Sequence, residues 1–229
     1  MEKKKPIIKF KNVTKEYKDG LKGLDKIDLE IHPGEFVFLI GSSGAGKTTL
    51  MKHIVKEEIP TEGEIHVDGE DLSTVKPNKV PFLRRKIGFI YQDFKLLDTK
   101  NAFENVALSL QVAGKDNEQI EKIVPRLIEL VGLTGKEEKF PHNLSGGEKQ
   151  RLTIARALAH EPKILLADEP TGNLDKTATW IVVDLIKKIN DWGTTIIFGT
   201  HDLELVKTLK KRVIQIEKGK IVKDEEYLS

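Results

Sequence analysis

Gly41-Ser42-Ser43-Gly44-Ala45-Gly46-Lys47-Thr48 follows the apolar run Phe36-Val37-Phe38-Leu39-Ile40. The spacing is a glycine, four residues, then Gly-Lys-Thr. It predicts a buried strand, a phosphate-cradling loop and a helix, in that order. Glycines let backbone N–H groups turn inward and approach phosphate oxygens closely. The helix that follows adds further N–H groups and a favourable dipole. Lys47 offers a mobile charge to the β- and γ-phosphates, and the Thr48 hydroxyl is a Mg²⁺ ligand. The cradle therefore comprises Ser42, Ser43, Gly44, Ala45, Gly46, Lys47, Thr48 and Thr49.

Working outward, Ile7 to Val13 and Leu24 to Ile31 are apolar and β-branched and read as strands, with a turn at Pro33-Gly34. The helix after the loop is expected to run to about Glu58. Gly63 to Gly69 reads as a strand turning at Asp68-Gly69, and Ile87 to Gln92 as another. From Asn101 to about Gly132 the pattern is helical, punctuated by Gly114 and Gly132, with Pro125 placed near a helix start. A helix is expected from about Gly147 to His160. Strand and helix then alternate: Lys163 to Asp168, Lys176 to Asp191, Thr194 to Thr200, Leu203 to Lys210, and closing strands at Val213 to Ile216 and Ile221 to Val222. Alternation of this kind predicts an α/β fold with a parallel sheet covered on both faces. The helical middle predicts an inserted lobe, about 93–161, within a core lobe of about 1–92 and 162–229.

Two further stretches carry chemistry. Ile164-Leu165-Leu166-Ala167-Asp168-Glu169 is an apolar strand ending in two acids. Near a phosphate loop, Asp168 is a Mg²⁺ ligand, direct or through water, and Glu169 is the natural general base for an attacking water. In Leu144-Ser145-Gly146-Gly147-Glu148-Lys149-Gln150-Arg151, Ser145 can cap a helix whose two glycines leave N–H groups exposed. That is a second anion site, far along the chain from the first.

This last stretch resembles the signature sequence of the ABC ATPases. With the phosphate loop it identifies a P-loop NTPase of the ABC type. The resemblance spans about Ile8 to Asp224, and the motifs occur in the family's order. It implies a RecA-like core, an N-terminal antiparallel β subdomain and an inserted helical subdomain. It also implies Mg-dependent ATP hydrolysis by a homodimer formed on ATP binding, with Ser145, Gly146 and Gly147 of one subunit closing on ATP held by the other. Tyr17 resembles the aromatic residue that stacks on adenine, and Gln92 the glutamine that ligands Mg²⁺ and couples the lobes. Asp175, in Asn173-Leu174-Asp175, resembles the loop that crosses the dimer interface. His201 resembles the histidine that contacts the γ-phosphate and the attacking water. The catalytic set is then Lys47, Glu169 and His201, and the metal set Thr48, Gln92 and Asp168. Glu148 departs from the family's usual glutamine, which leaves phosphate binding by Ser145 and the glycine backbone intact.

Arg84 to Leu97, Leu144 to Arg151 and Ala167 to Asp175 resemble the bacterial cell-division branch of the family. The lipoprotein-release and macrolide-export branches share much of this. Asp98 stands after Leu97 where the cell-division branch usually carries proline, a departure that bears on the local loop and not on the chemistry. The branch implies a regulatory role in peptidoglycan hydrolysis and an FtsX-like integral membrane partner, docked near Gln92, with Phe94, Leu96 and Leu97 as candidate contacts or as core of the helical lobe.

Composition limits the alternatives. The net charge of +2 creates no field that calls for nucleic acid. No apolar run approaches the roughly 20 residues that span a bilayer, so any membrane role must come through a partner; the resemblance implies a peripheral place at the cytoplasmic face of the plasma membrane. Cysteine is absent, which excludes disulfides and thiolate metal sites. There is no Asn-Lys-x-Asp motif for guanine. Lys47, Asp168, Glu169 and His201 together argue against a scaffold that binds nucleotide without hydrolysing it.

Overall fold

A computed structural model describes residues 5–228. In chain order the elements are β1 (Ile8–Glu16), β2 (Lys22–Ile31), β3 (Phe36–Ile40), α1 (Lys47–Ile54), β4 (Glu62–Val67), β5 (Glu70–Asp71), α2 (Val80–Arg85) and β6 (Ile87–Ile90). Then come α3 (Ala102–Val112), α4 (Asn117–Leu130), α5 (Gly146–Leu158), β7 (Ile164–Asp168), α6 (Lys176–Asp191), β8 (Thr195–Thr200), α7 (Leu203–Leu209), β9 (Arg212–Glu217) and β10 (Lys220–Glu225).

The strands form two sheets. One is antiparallel, in the order β2-β1-β4-β5; the other runs β10-β9-β3-β8-β7-β6. In the second, β9, β3, β8, β7 and β6 are mutually parallel and only β10 is antiparallel. Parallel strands end on the same edge, so the segments after β3, β6, β7 and β8 emerge side by side. Ligands of open parallel sheets bind along that edge.

The alternation within β3 shows why its sequence is apolar without a break. Phe36, Phe38 and Ile40 face a core shared with α3 to α6, whereas Val37 and Leu39 face a second core with α1 and the antiparallel sheet. Phe38 lies 5.1 Å from Phe36 and 5.4 Å from Phe198, centroid to centroid, and so ties β3 to β8.

The helical segment between β6 and β7 is fixed by caps as well as packing. Asn101 and Glu104 form a reciprocal capping box at the start of α3. Buried Asn105 accepts the Leu97 N–H (2.9 Å) and donates to the carbonyls of Leu97, Lys100 and Asn101. It thereby pins the segment before α3 to the helix itself.

Several expectations need correction. Pro125 lies inside α4, not near its start, and Asp116 is the N-cap. An internal proline costs about 3 kcal/mol. The side chains of Ile120, Val124 and Ile128 are buried along one stripe, each worth about 1.5–3 kcal/mol, which outweighs that cost. Pro125 itself faces solvent, where water can meet the carbonyl that its ring leaves unpaired. The helix after the phosphate loop stops at Ile54 rather than near Glu58, because Lys56 adopts a left-handed φ of 51°. β6 ends at Ile90, so Gln92 is in a loop. β5 and α2 were not anticipated: β5 has two residues, and α2 has six with a proline in its first turn.

Candidate nucleotide site

The loop from Gly41 to Gly46 takes its shape from backbone that only glycine tolerates well. Gly46 has φ 118°, and a Cβ there would stand 2.6 Å from the Gly23 carbonyl oxygen. A Cβ on Gly41 would stand 2.3 Å from the Ile216 carbonyl oxygen. The loop is thus wedged against β2 and β9. Helix α1 begins directly after it and has no side-chain cap, unlike α5 and α6, which are capped by Ser145 and Asp175. Its first-turn N–H groups remain available for an anion.

Lys47 is buried. Its Nζ donates to the carbonyls of Gly41 (2.7 Å) and Ser42 (3.3 Å) and lies 3.3 Å from Glu169 Oε1. The other carboxylate oxygen of Glu169 lies 2.9 Å from His201 Nδ1. Lys47, Glu169 and His201 therefore form a chain of contacts across the ends of β3, β7 and β8. Glu169 sits at φ 48°, and its N–H donates to the Gly199 carbonyl of β8 at 3.0 Å. A left-handed non-glycine residue costs on the order of 1–3 kcal/mol and persists only where its surroundings hold it, here the hydrogen bond to Gly199 and the contacts with Lys47 and His201.

The Thr48 hydroxyl donates to Asp168 Oδ2 at 2.6 Å, while Asp168 Oδ1 is buried with no hydrogen-bond partner. Burial pushes the Asp168 carboxyl above its ordinary 3.8; the Thr48 hydroxyl opposes the rise, Glu169 adds to it, and Lys47 opposes it. An orphaned buried carboxylate oxygen beside a hydroxyl suits a hard cation. Mg²⁺ is usually held by one or two carboxylates together with substrate phosphates and water. Among the described residues no cluster of three or more His, Cys, Asp or Glu could hold a metal by itself, so this donor set needs the phosphates to complete it.

Asp168 carries a prediction. Its folded-state proton is held more tightly than in the unfolded chain, so stability falls as pH rises through and above 3.8. Asp168→Asn removes that loss. In buffer free of divalent metal, the melting temperature of the variant minus that of the wild type should increase between about pH 4 and about pH 7. If Asp168 holds Mg²⁺ as the sequence implies, turnover of the nucleotide should fall at least about a hundredfold, since several kcal/mol of charge stabilisation would go with a metal ligand. A pH-independent difference would show that burial of Asp168 does not cost stability.

These groups line one cleft of about 480 Å³, bounded by Ser42, Ser43, Gly44, Ala45, Gly46, Lys47, Thr48, Thr49, Gln92, Asp168, Glu169 and His201. Its size is that of a small-molecule site. Tyr17 stands at its margin, with its hydroxyl 3.3 Å from Thr49 Oγ1 and its ring over Gly23. Ser145, Gly146, Gly147 and Asp175 are not part of the wall. Ser145 forms a capping box with Glu148, whose carboxylate also pairs with Lys136. That gives Glu148 a role glutamine would fill less well, and its carboxyl is held below the usual range first by Lys136 and then by the Ser145 N–H. Gly147 packs on Ala178, where a Cβ would stand 2.9 Å away. Asp175 caps α6 through the Ala178 N–H at 2.8 Å. Of the candidate partner contacts, Leu96 packs against the core around α3 and α5, Phe94 is half-buried and Leu97 is exposed. Sequence reasoning missed Arg156, whose guanidinium donates to the carbonyls of Phe94 and Lys95. No spacing rule links positions that far apart.

The ABC transporter family pattern matches residues 24–172. The chain belongs to the ABC transporter family. As a member it is a nucleotide-binding, ATP-hydrolysing cassette. It is 50% identical to the cell division ATP-binding protein FtsE of Bacillus subtilis (strain 168), over 96% of both chains. It is 44% identical to the FtsE of Mycobacterium tuberculosis (strain ATCC 25618 / H37Rv), again over 96% of each. Among solved ABC cassettes, MJ0796 in a dimeric post-hydrolysis state bound to ADP and Pi superposes with a TM-score of 0.88 at 35% identity, over 97% of this chain and 99% of that one. Among the described residues no helix is long and apolar enough to cross a membrane.

Proposed function

We propose that two copies of this chain sandwich two Mg-ATP head to tail and act in bacterial cell division, coupled to an FtsX-like integral membrane protein. The observation that carries the catalytic half of this reading is the Lys47–Glu169–His201 chain over the phosphate loop. Lys47 and the loop N–H groups neutralise the β- and γ-phosphates. Glu169 takes a proton from the attacking water, and His201 holds Glu169 and the γ-phosphate in register. Thr48, Asp168 and Gln92 hold Mg²⁺, which when bound withdraws charge from the phosphate oxygens. Catalysis of this kind is mostly positioning and charge stabilisation.

The exposed N-terminus of α5 supports a contribution in trans. Ser145, Gly146 and Gly147 stand off the cleft of their own chain, yet present N–H groups at a helix start. Asp175 and Tyr17 belong to the dimer interface and the adenine position in this reading. Lobes of about 1–92 with 162–229, and of about 93–161, move relative to each other as ATP is bound and spent. The closed state is populated only as far as ATP prefers it to the open one. The likeness to the FtsE proteins supports the division role, a place at the cytoplasmic face of the plasma membrane, and control of peptidoglycan hydrolysis rather than transport.

The test is a pull-down from detergent-solubilised membranes with the Glu169→Gln variant, with and without ATP. ATP-dependent capture of an FtsX-like protein with a large extracytoplasmic domain is the expected result. Capture of a lipoprotein-release or export permease instead overturns the division role and leaves the chemistry standing.

A further inference from the structure

The loop that carries Gln92 is held in a demanding conformation. Phe94 and Lys95 are consecutive non-glycine residues with φ 58° and 51°. The Lys95 N–H donates to the Asp93 carbonyl at 2.6 Å, which closes a tight three-residue turn around Phe94. Turns of this hand are rare and strained. A turn that shape needs an outside group to hold it, and the structure supplies one. Arg156 Nη1 donates to the Lys95 carbonyl at 2.5 Å, and Arg156 Nη2 to the Phe94 carbonyl at 2.7 Å. The two ends of one planar guanidinium thus match two successive carbonyls, a fork that lysine cannot reproduce. Among the described residues Arg156 makes no ion pair with a carboxylate, so its charge is spent on these carbonyls.

The position of Arg156 gives the contact its meaning. It lies in the last turn of α5, the helix that begins at Gly146 and is capped by Ser145. A helix is a rigid rod. Displacement of the Ser145 end is therefore transmitted to the turn two residues beyond Gln92.

We infer that Arg156 is a positioning residue that couples the signature helix to Gln92, so that Gln92 reaches its working place at the proposed Mg²⁺ position in the cleft only when α5 is correctly set. The inference rests on the proposed role of Gln92 as a Mg²⁺ ligand. Arg156 touches neither nucleotide nor the cleft wall, and it acts through the loop.

The experiment is a double-mutant cycle on kcat with Gln92→Ala, Arg156→Met and the combination, each with nucleotide affinity and melting temperature measured alongside. Arg156→Met should lower kcat about tenfold and leave the affinity for ATP within about twofold, because Lys47 and the loop are untouched. Amide hydrogen exchange at residues 93–97 should accelerate, with that of α1 unchanged. If Arg156 acts through Gln92, the double variant is no slower than Gln92→Ala alone. Additive losses in kcat, or an unchanged kcat in Arg156→Met, overturn the coupling. Should Arg156→Met fail to fold, Arg156→Lys keeps the charge without the fork and carries the same cycle. A Gln92→Ala variant with wild-type kcat would instead refute the role of Gln92, and the present inference with it.

Discussion

Glu169→Gln is expected to lower kcat by about 10²–10⁴-fold, the range contributed by a general base, while ATP stays bound and a dimer accumulates. The substitution keeps the size of the side chain and its place between Lys47 and His201. It removes the negative charge of the carboxylate, and with it the capacity to accept a proton from water. The left-handed backbone at position 169 is equally available to glutamine, so the loss is chemical rather than conformational. Size-exclusion chromatography with and without ATP, together with a phosphate-release assay, reads both halves. Hydrolysis at the wild-type rate would remove Glu169 from the role of base.

Lys47→Ala should fail one step earlier. Truncating one partner of a buried charged contact costs about 2–5 kcal/mol, which is roughly a thirtyfold loss of affinity or more. In this site the damage has a second source. Lys47 is the cation that lies against Glu169, with Asp168 adjacent. Without it two carboxylates would face the phosphates unshielded. Binding of a fluorescent ATP analogue should therefore collapse in Lys47→Ala and persist in Glu169→Gln. Equal affinity in the two variants would mean that the loop amides alone hold the phosphates.

Much of the architecture was legible because its signals are local. The unbroken apolar runs of β3 and β7 are too short for a helix and are bounded by turn residues, so they read as strands buried on both faces, and the glycines of the loop are demanded by backbone that no other residue adopts freely. Ser145 marked a helix start for the same reason, whereas the cap that Asp175 provides emerged only with the structure. The misplaced Pro125 shows where local rules lose. A propensity penalty of about 3 kcal/mol is overridden by burial of a stripe whose partners lie on α3 and α5, and those are invisible in a window of sequence. The shortness of β5 and α2 left too few residues for periodicity to register.

The sequence by itself determined the chemical groups available: a glycine-rich cradle, a lysine, a hydroxyl, and two acids at the end of an apolar strand. Each is written in contiguous residues, because backbone shape and side-chain type are both local properties there. Only the tertiary structure decided which of them meet. Lys47, Glu169 and His201 come from three segments, and they converge because β3, β7 and β8 are parallel and in register, so that their ends share an edge. The same folding keeps Ser145, Gly146 and Gly147 away from that edge and brings Arg156 to the carbonyls of Phe94 and Lys95. Contacts between residues distant along the chain are set by packing of whole elements, and no short stretch of sequence contains that information.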